Sequence, residues 1–506
     1  MHFFLSRFTR TSFLSLFLIS ACAQIPENQS KPIPAFSIED LKNEVNQIGQ
    51  GAELKYGGWA VSVKSTKSGQ PVLEHNSSRS MIIASNMKVV TTASGLAILG
   101  EDYTFKTELQ YDGVIDAEGL LNGNLYIKGG GDPTLGSDRV KGSLDLNQLL
   151  ALWTEKIKAA GIRKINGAII GDADIFNENV IPGGWTWADL GNYYGSPAYG
   201  LNINDNLFSL SFVPGKSTGA PTRILSTYPA ISDIEFVNEV ITGAPGSGDN
   251  AYIYGVPYTS LRYVQGSIPG GVQSFSIRGA IPDPVVLSAE LLHKQLGSKG
   301  IMVSQNPSST RLLRQKKQFK ANERKSIYTH VSPPLKDIVY QTNLQSMNLY
   351  AEAVAKMLGV EVFHDGTTVS GTNAIEGFWK QKDVDLGGFF MRDGSGLSRT
   401  NAITASTMTA ILGHSAMQPY FQALYNSLPV AGVSGTMAGI GRGTAAQGNV
   451  RAKTGTIERV MSYSGYFTTR SGELMSFAII ANDYDGSSAQ MRKKVEKLMT
   501  MLVKLP

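Results

Sequence analysis

The pieces of one α+β domain lie at the two ends of this chain, with a long β-rich block between them. WAVSVKS (59–65) alternates apolar and polar residues, TKSGQ turns, and PVLEHN returns, which is the signal of a β-hairpin. A helical run, SNMKVVTTASGLAILG, follows and stops at Gly100. At the far end, NVRAKTGTIE, VMSYSGYFTT and LMSFAIIANDY read as consecutive antiparallel strands, followed by a last helix. A hairpin and helix from one end, with strands and a helix from the other, can complete a single sheet with helices packed on it. Residues 103–287 then form an insertion, where short strands (GNLYIKG, GAIIGD, FSLSFV) alternate with Gly/Pro turns and LLALWTEKIKAAG is the clearest helix. Helices resume in SAELLHKQLGSKG (288–300) and in PLKDIVYQTNLQSMNLYAEAVAKMLG (334–359). The expected division is 37–102 and 288–506 for the two parts of the end-built domain, around an inserted 103–287.

Ahead of this lies an export signal: Arg7 and Arg10, then a short apolar core from Phe13 to Ile19, then small residues. It is too short to span a membrane, and no later stretch holds about 18 uninterrupted apolar residues. Ile19-Ser20-Ala21-Cys22 resembles the lipobox of bacterial lipoproteins, whose cysteine becomes a diacylated anchor at the membrane. Ala21-Cys22-Ala23 also fits a small-x-small cleavage site, which discards the cysteine. Cys22 is the single cysteine of the chain, which favours the lipobox and excludes a disulfide. Residues 23–36 read as a polar tether. The expected location is the periplasm or cell envelope. A formal charge of +5, with no basic arm or zinc module, carries no nucleic-acid signature. The basic run RLLRQKKQFKANERK (311–325) reads as a solvated face, or else as an attraction to anionic wall polymer or lipid headgroups. The six histidines show no H-E-x-x-H or other metal spacing, so no zinc is expected, and the serine chemistry set out below needs neither metal nor organic cofactor.

Three short patterns fall on this scaffold in order. Ser85-x-x-Lys88 opens a helix, Ser346-Met347-Asn348 precedes LYAEAVAKMLG, and Lys453-Thr454-Gly455 lies on a strand of the terminal sheet. S-x-x-K, S-D-N and K-T-G together mark β-lactamases and penicillin-binding proteins. The chemistry explains the residue types. A serine hydroxyl needs a nearby base to become a nucleophile. Residues i and i+3 of a helix share a face, so Lys88 can be that base if its pKa falls, through burial and a second cation such as Lys453. Ser346 can relay a proton and Asn348 can bind a substrate amide. The edge of the K-T-G strand can pair with an extended peptide, and the N–H groups of Ser85 and Thr456 form a natural oxyanion hole. The competing Lys67-Ser68-Gly69, Ser304-Gln305-Asn306 and Gly215–Gly219 patterns lack a matching helix or strand. S-x-x-K occurs once.

With these residues in place, the chain resembles the class C low-molecular-mass penicillin-binding proteins, the D-alanyl-D-alanine carboxypeptidase/endopeptidases of the penicillin-binding protein 4 type. The blocks GGGDPTL (129–135), GDADIF (171–176), GGWTWADLGNYYGSPAYGLNINDN (183–206), SPPLKDIVYQTNLQSMNLYAE (332–352) and RDGSGLSRTNAIT (392–404) extend the resemblance over nearly the whole mature chain. The span of 261 residues from Ser85 to Ser346 is typical of that family. It implies a β-lactamase/transpeptidase-like domain carrying one or two extra domains. The resemblance implies Ser85 as the acylated nucleophile, Lys88 as its base, Ser346, Asn348 and Lys453 as the remaining catalytic groups, and Thr454, Gly455 and Thr456 as substrate-binding. It also implies Asp189 and Arg399 as contacts to the side chain of the peptide's third residue. Glu458 stands where relatives commonly carry a neutral residue, which leaves that preference open. Peptidoglycan peptides and β-lactams are the implied ligands, and dimers occur in relatives. Carboxypeptidase and endopeptidase cleavage are both compatible with this site. Another serine amidohydrolase (a β-lactamase or D-aminopeptidase) and a catalytically silent wall-peptide binder are the alternatives.

Overall fold

The computed structural model describes residues 36–506; the export signal, Cys22 and nearly all of the tether lie outside the described residues. The two chain ends do meet in one antiparallel sheet of five strands. Its order is Pro71–His75, Gly58–Ser65, Leu474–Asn482, Val460–Thr468, Arg451–Ile457. The register runs through Val61↔Ile479 and Lys453↔Ser464. Val460–Thr468 is buried along almost its whole length because helices cover both faces of the sheet. Ile38–Gly49 and Ser488–Leu502 meet each other on one side, burying Leu41, Val45 and Ile48 from the first and Met491, Val495 and Leu498 from the second.

The other side holds the main core. Its centre is the helix Met87–Ile98, buried all round from Met87 to Leu96. A helix with no wet face must be enclosed by other helices. Leu335–Gln345, Asn348–Phe363 and Ala405–Ala416 enclose this one, with Ile338, Val354, Leu358, Ile411 and Ile480 in the same cluster.

The intervening block has its own core. A mixed sheet orders Ser308–Ser309, Ile169–Asp172, Leu125–Lys128, Lys106–Tyr111 and Lys325–Val331, with the helices Leu146–Ala159 and Pro284–Ser298 packed on it. Two three-stranded sheets add Phe208, Leu210, Phe212, Ile253 and Val264 to that core. The return to the end-built domain, expected at residue 288, comes only after Val331. Pro284–Ser298 turns Val285, Leu287, Leu292 and Leu296 into the block's core. Lys325–Val331 pairs with Lys106–Tyr111, from Lys325↔Tyr111 to Val331↔Lys106. Helical periodicity showed that 288–300 buries one face, but not against which core. Among the described residues, no helix is long and apolar enough to cross a membrane.

Candidate active site

Ser85 lies on a single 3-10 turn, Ala84–Asn86, that runs directly into Met87–Ile98. The turn is fastened from the sheet side. Ser462 Oγ donates to the Ile83 carbonyl at 2.6 Å, Asn86 Nδ2 donates to Ser462 Oγ at 2.6 Å, and Ser464 Oγ donates to Asn86 Oδ1 at 2.5 Å. Two glycines let neighbouring backbone close on it. A Cβ on Gly455 would sit 2.2 Å from the Ile83 carbonyl oxygen, and one on Gly396 would sit 1.9 Å from that of Ala84. The glycine of K-T-G is therefore a contact requirement between strand and turn. Ser85 remains half-buried, while Lys88 and Lys453 are fully buried.

Lys88 Nζ lies 3.0 Å from Ser85 Oγ, 2.5 Å from Asn348 Oδ1 and 2.7 Å from the Ser395 carbonyl oxygen. Burial lowers its pKa to about 7, against the opposing pull of the Asp393 and Glu352 carboxylates. In the neutral amine, two N–H bonds satisfy the amide and carbonyl oxygens, and the lone pair is left facing the serine hydroxyl. Lys453 Nζ donates to Ser346 Oγ at 2.9 Å and to the Thr454 carbonyl at 2.8 Å. Burial, and then the nearby Lys88, hold its pKa well below the usual lysine value. Ser346 occupies a left-handed corner (φ +59) between Leu335–Gln345 and Asn348–Phe363. That corner aims Ser346 at Lys453 and Asn348 at Lys88. Asn348 is more occupied than expected: its Nδ2 donates to the Tyr194 carbonyl at 2.7 Å, so both ends of its amide already have partners in the unliganded chain.

Arg451–Ile457 is the outer strand of the five-stranded sheet. Ile457↔Val460 closes a two-residue hairpin, so alternate residues Gly455 and Lys453 bond inward. Thr454 and Thr456 then present their backbone groups to the open edge. Ala452, in the same phase, donates outward to the Pro429 carbonyl. Asp189 caps its own turn, accepting from the Thr186 N–H at 3.0 Å and hydroxyl at 2.7 Å. Arg399 faces Glu458 at 3.7 Å in an exposed pair; among the described residues no ion pair joins it to Asp189. Five of the expected residues (Ser85, Lys88, Ser346, Asn348 and Lys453) are thus linked through two lysine-centred hydrogen-bond sets. Asp189 and Arg399 stand apart from these sets.

Sequence reasoning did not connect two buried carboxylates, Glu352 and Asp393, with Lys88. Glu352 accepts the N–H groups of Gly394 (3.2 Å) and Ser395 (2.8 Å). Asp393 accepts from Trp185 Nε1 (2.8 Å), the N–H groups of Gly396 and Ser398 (2.6 Å each) and Asn401 Nδ2 (2.8 Å). A signal for Glu352 was present: Asn348, Glu352 and Lys356 recur every four residues in a mostly apolar helix, which puts three polar groups on one buried stripe. Among the described residues, no group of three or more His, Cys, Asp or Glu side chains could hold a metal ion.

Comparison with known proteins places this geometry. The chain is 29% identical over 461 residues to the D-alanyl-D-alanine carboxypeptidase of Actinomadura sp. (strain R39), covering 89% of this chain and 82% of that protein. It is 27% identical over 472 residues to the D-alanyl-D-alanine carboxypeptidase DacB of Haemophilus influenzae, covering 91% and 92%. The crystal structure of penicillin-binding protein 4 from H. influenzae superposes with a TM-score of 0.74 at 25% identity, covering 92% of this chain and 97% of that one. The family described as D-Ala-D-Ala carboxypeptidase 3 (S13) matches residues 41–504, both halves of the end-built domain and everything inserted between them. The chain belongs to that family and is a serine-type D-Ala-D-Ala carboxypeptidase.

Proposed function

We propose that Ser85 is the acylated nucleophile and that Lys88 is its base. The observation carrying this is the placement of Lys88 Nζ, whose two fixed acceptors leave one direction, toward Ser85 Oγ. Ser85 Oγ attacks the carbonyl carbon of the penultimate D-Ala as its proton passes to Lys88. The C–N bond then breaks, and the leaving nitrogen takes that proton by way of Ser346, held in place by Lys453. Water attacks the ester with Lys88 again as base and frees the serine. The N–H groups of Ser85 and Thr456 hold the oxyanion, and the stem peptide lies along the open edge at Thr454 and Thr456. Arg399, only loosely engaged by Glu458, takes the carboxylate of a zwitterionic third side chain, with Asp189 toward its amine. Removal of a terminal D-Ala and cleavage of a cross-link break the same kind of bond, and this site serves both. β-Lactams, which mimic the D-Ala-D-Ala terminus, acylate Ser85; a β-lactam complex is recorded for the H. influenzae protein. We also propose export with a lipid anchor at Cys22.

Intact mass of the mature chain, with and without benzylpenicillin and beside Ser85→Ala, tests these points together. One stable adduct on the parent and none on the variant is the expected result. Wall-peptide hydrolysis should fall at least about 10³-fold in the variant. Full activity in Ser85→Ala ends the assignment. The same mass reads the N-terminus: a diacylated Cys22 supports the anchor, and a chain starting at Gln24 removes it.

A further inference from the structure

We propose that Glu352 is a positioning residue for the general base: it grips the N–H groups of two consecutive loop residues whose own carbonyls hold Lys88 and its helix, and so fixes where the lysine amine sits and how strongly it holds its proton. This rests on the assignment of Lys88 as base.

Glu352 is fully buried one turn after Asn348. Its two oxygens accept the N–H groups of Gly394 and Ser395. The carbonyls of those same residues face the other way. Ser395 accepts from Lys88 Nζ at 2.7 Å, and Gly394 accepts from Thr91 Oγ1 at 2.6 Å. The Gly394–Ser395 peptide is thus strung between Glu352, through the Ser395 N–H, and the helix bearing the base, through the Gly394 carbonyl and Thr91, while the next carbonyl along, that of Ser395, holds Lys88. A charge at one end of such a chain strengthens the acceptor at the other. Asp393 grips the adjoining peptide: it accepts the Gly396 N–H at 2.6 Å, and the carbonyl of that same peptide, belonging to Ser395, accepts from Lys88, so the two carboxylates anchor neighbouring peptide units behind the lysine. The close approach is built in, because a Cβ on Gly394 would lie 2.8 Å from the Ala351 carbonyl oxygen.

The charged groups around Lys88 are Lys453 on the K-T-G strand, Asp393 on the loop, and Glu352 and Lys356 on the helix Asn348–Phe363. Lys356, one turn beyond Glu352, donates to the Ala198 carbonyl at 3.2 Å. Burial drives the pKa of Lys88 down, and the two carboxylates arrest the fall at about 7. Glu352 is itself pushed up to about 7 by burial and by Asp393. Removing its charge lets the pKa of Lys88 fall further. Acylation then persists to lower pH, but with a weaker base and a looser lysine.

The test is the rate of acylation of the full chain by a chromogenic cephalosporin, measured from about pH 5 to about pH 9. In Glu352→Gln the acid limb should move down by about half to one pH unit, and the plateau should fall about tenfold. Glu352→Asp, which keeps the charge but shortens the reach, should keep the limb in place and lower the plateau. An acid limb in folded Glu352→Gln that coincides with the parent's overturns the inference. Where circular dichroism shows Glu352→Gln unfolded, the aspartate variant decides: a lowered plateau supports the role, and an unchanged one overturns it. A parent chain without Ser85-dependent acylation at any pH overturns the assignment of the base, and this inference with it. A parent that is acylated beside an unmoved limb isolates the failure to Glu352.

Discussion

At the residue scale, the proposed mechanism depends on keeping two lysines dry. A surface ammonium stays protonated at neutral pH and cannot take the serine proton. Lys88 escapes this through burial, which sets its pKa at about 7. The pH dependence follows directly. Below about pH 7 Lys88 is protonated and has no lone pair, so the acylation rate should drop roughly tenfold per unit of pH. Lys453 is also lowered, and losing its charge weakens its hydrogen bond to Ser346, so an alkaline limb should appear well short of the ordinary lysine pKa. Stopped-flow acylation across pH should trace this bell. A rate that is flat through the acid range would remove Lys88 as the titrating base.

At the element scale, Ser85, the proposed nucleophile, is placed by a short turn that a strand and a loop press between them. Gly455 and Gly396 make that approach possible. Gly455→Ala puts a methyl into the Ile83 carbonyl and within 2.4 Å of Ser462 Oγ, and the strand has to retreat. We expect a loss of about 1–3 kcal/mol of stability from the overlap, and about 10²-fold slower acylation from misplacing Ser85 relative to the oxyanion donors. Urea unfolding and benzylpenicillin kinetics on the same sample measure the two effects. A stable variant with the parent's acylation rate contradicts this account of the glycine. Much of this level was legible in the sequence: K-T-G could be placed on a strand and S-x-x-K at a helix start. The left-handed corner at Ser346 was not, because the Leu335–Gln345 and Asn348–Phe363 periodicities run together without a Gly or Pro to mark the break.

At the scale of the whole molecule, the inserted block helps to build the site. Trp185 Nε1 holds Asp393, the Tyr194 carbonyl receives Asn348, and the Ala198 carbonyl receives Lys356. Phe176 and Ala198 are buried in the main core. Trp185→Phe keeps the packing and deletes one hydrogen bond to Asp393. It should cost about 1 kcal/mol of stability, while the loosened loop at Ser395 slows acylation several-fold. Thermal unfolding together with acylation rates checks this. A variant with lowered stability and an unchanged rate would show that the block supports the fold alone.

The sequence by itself determined which residues are proposed for the chemistry. Ser85, Lys88, Ser346, Asn348 and Lys453 are marked by local spacing, and local spacing survives in a one-dimensional string. It also marked strands at both chain ends, able to complete one sheet, because strand alternation is a period-two signal; their pairing is seen only in the structure. Only the tertiary structure decided where the inserted block ends, since an amphipathic helix announces a buried face and not the partner that buries it. Only the tertiary structure, too, set Glu352 and Asp393 behind Lys88. A pKa depends on burial and on charges brought together from distant parts of the chain, and neither is a property of sequence neighbours.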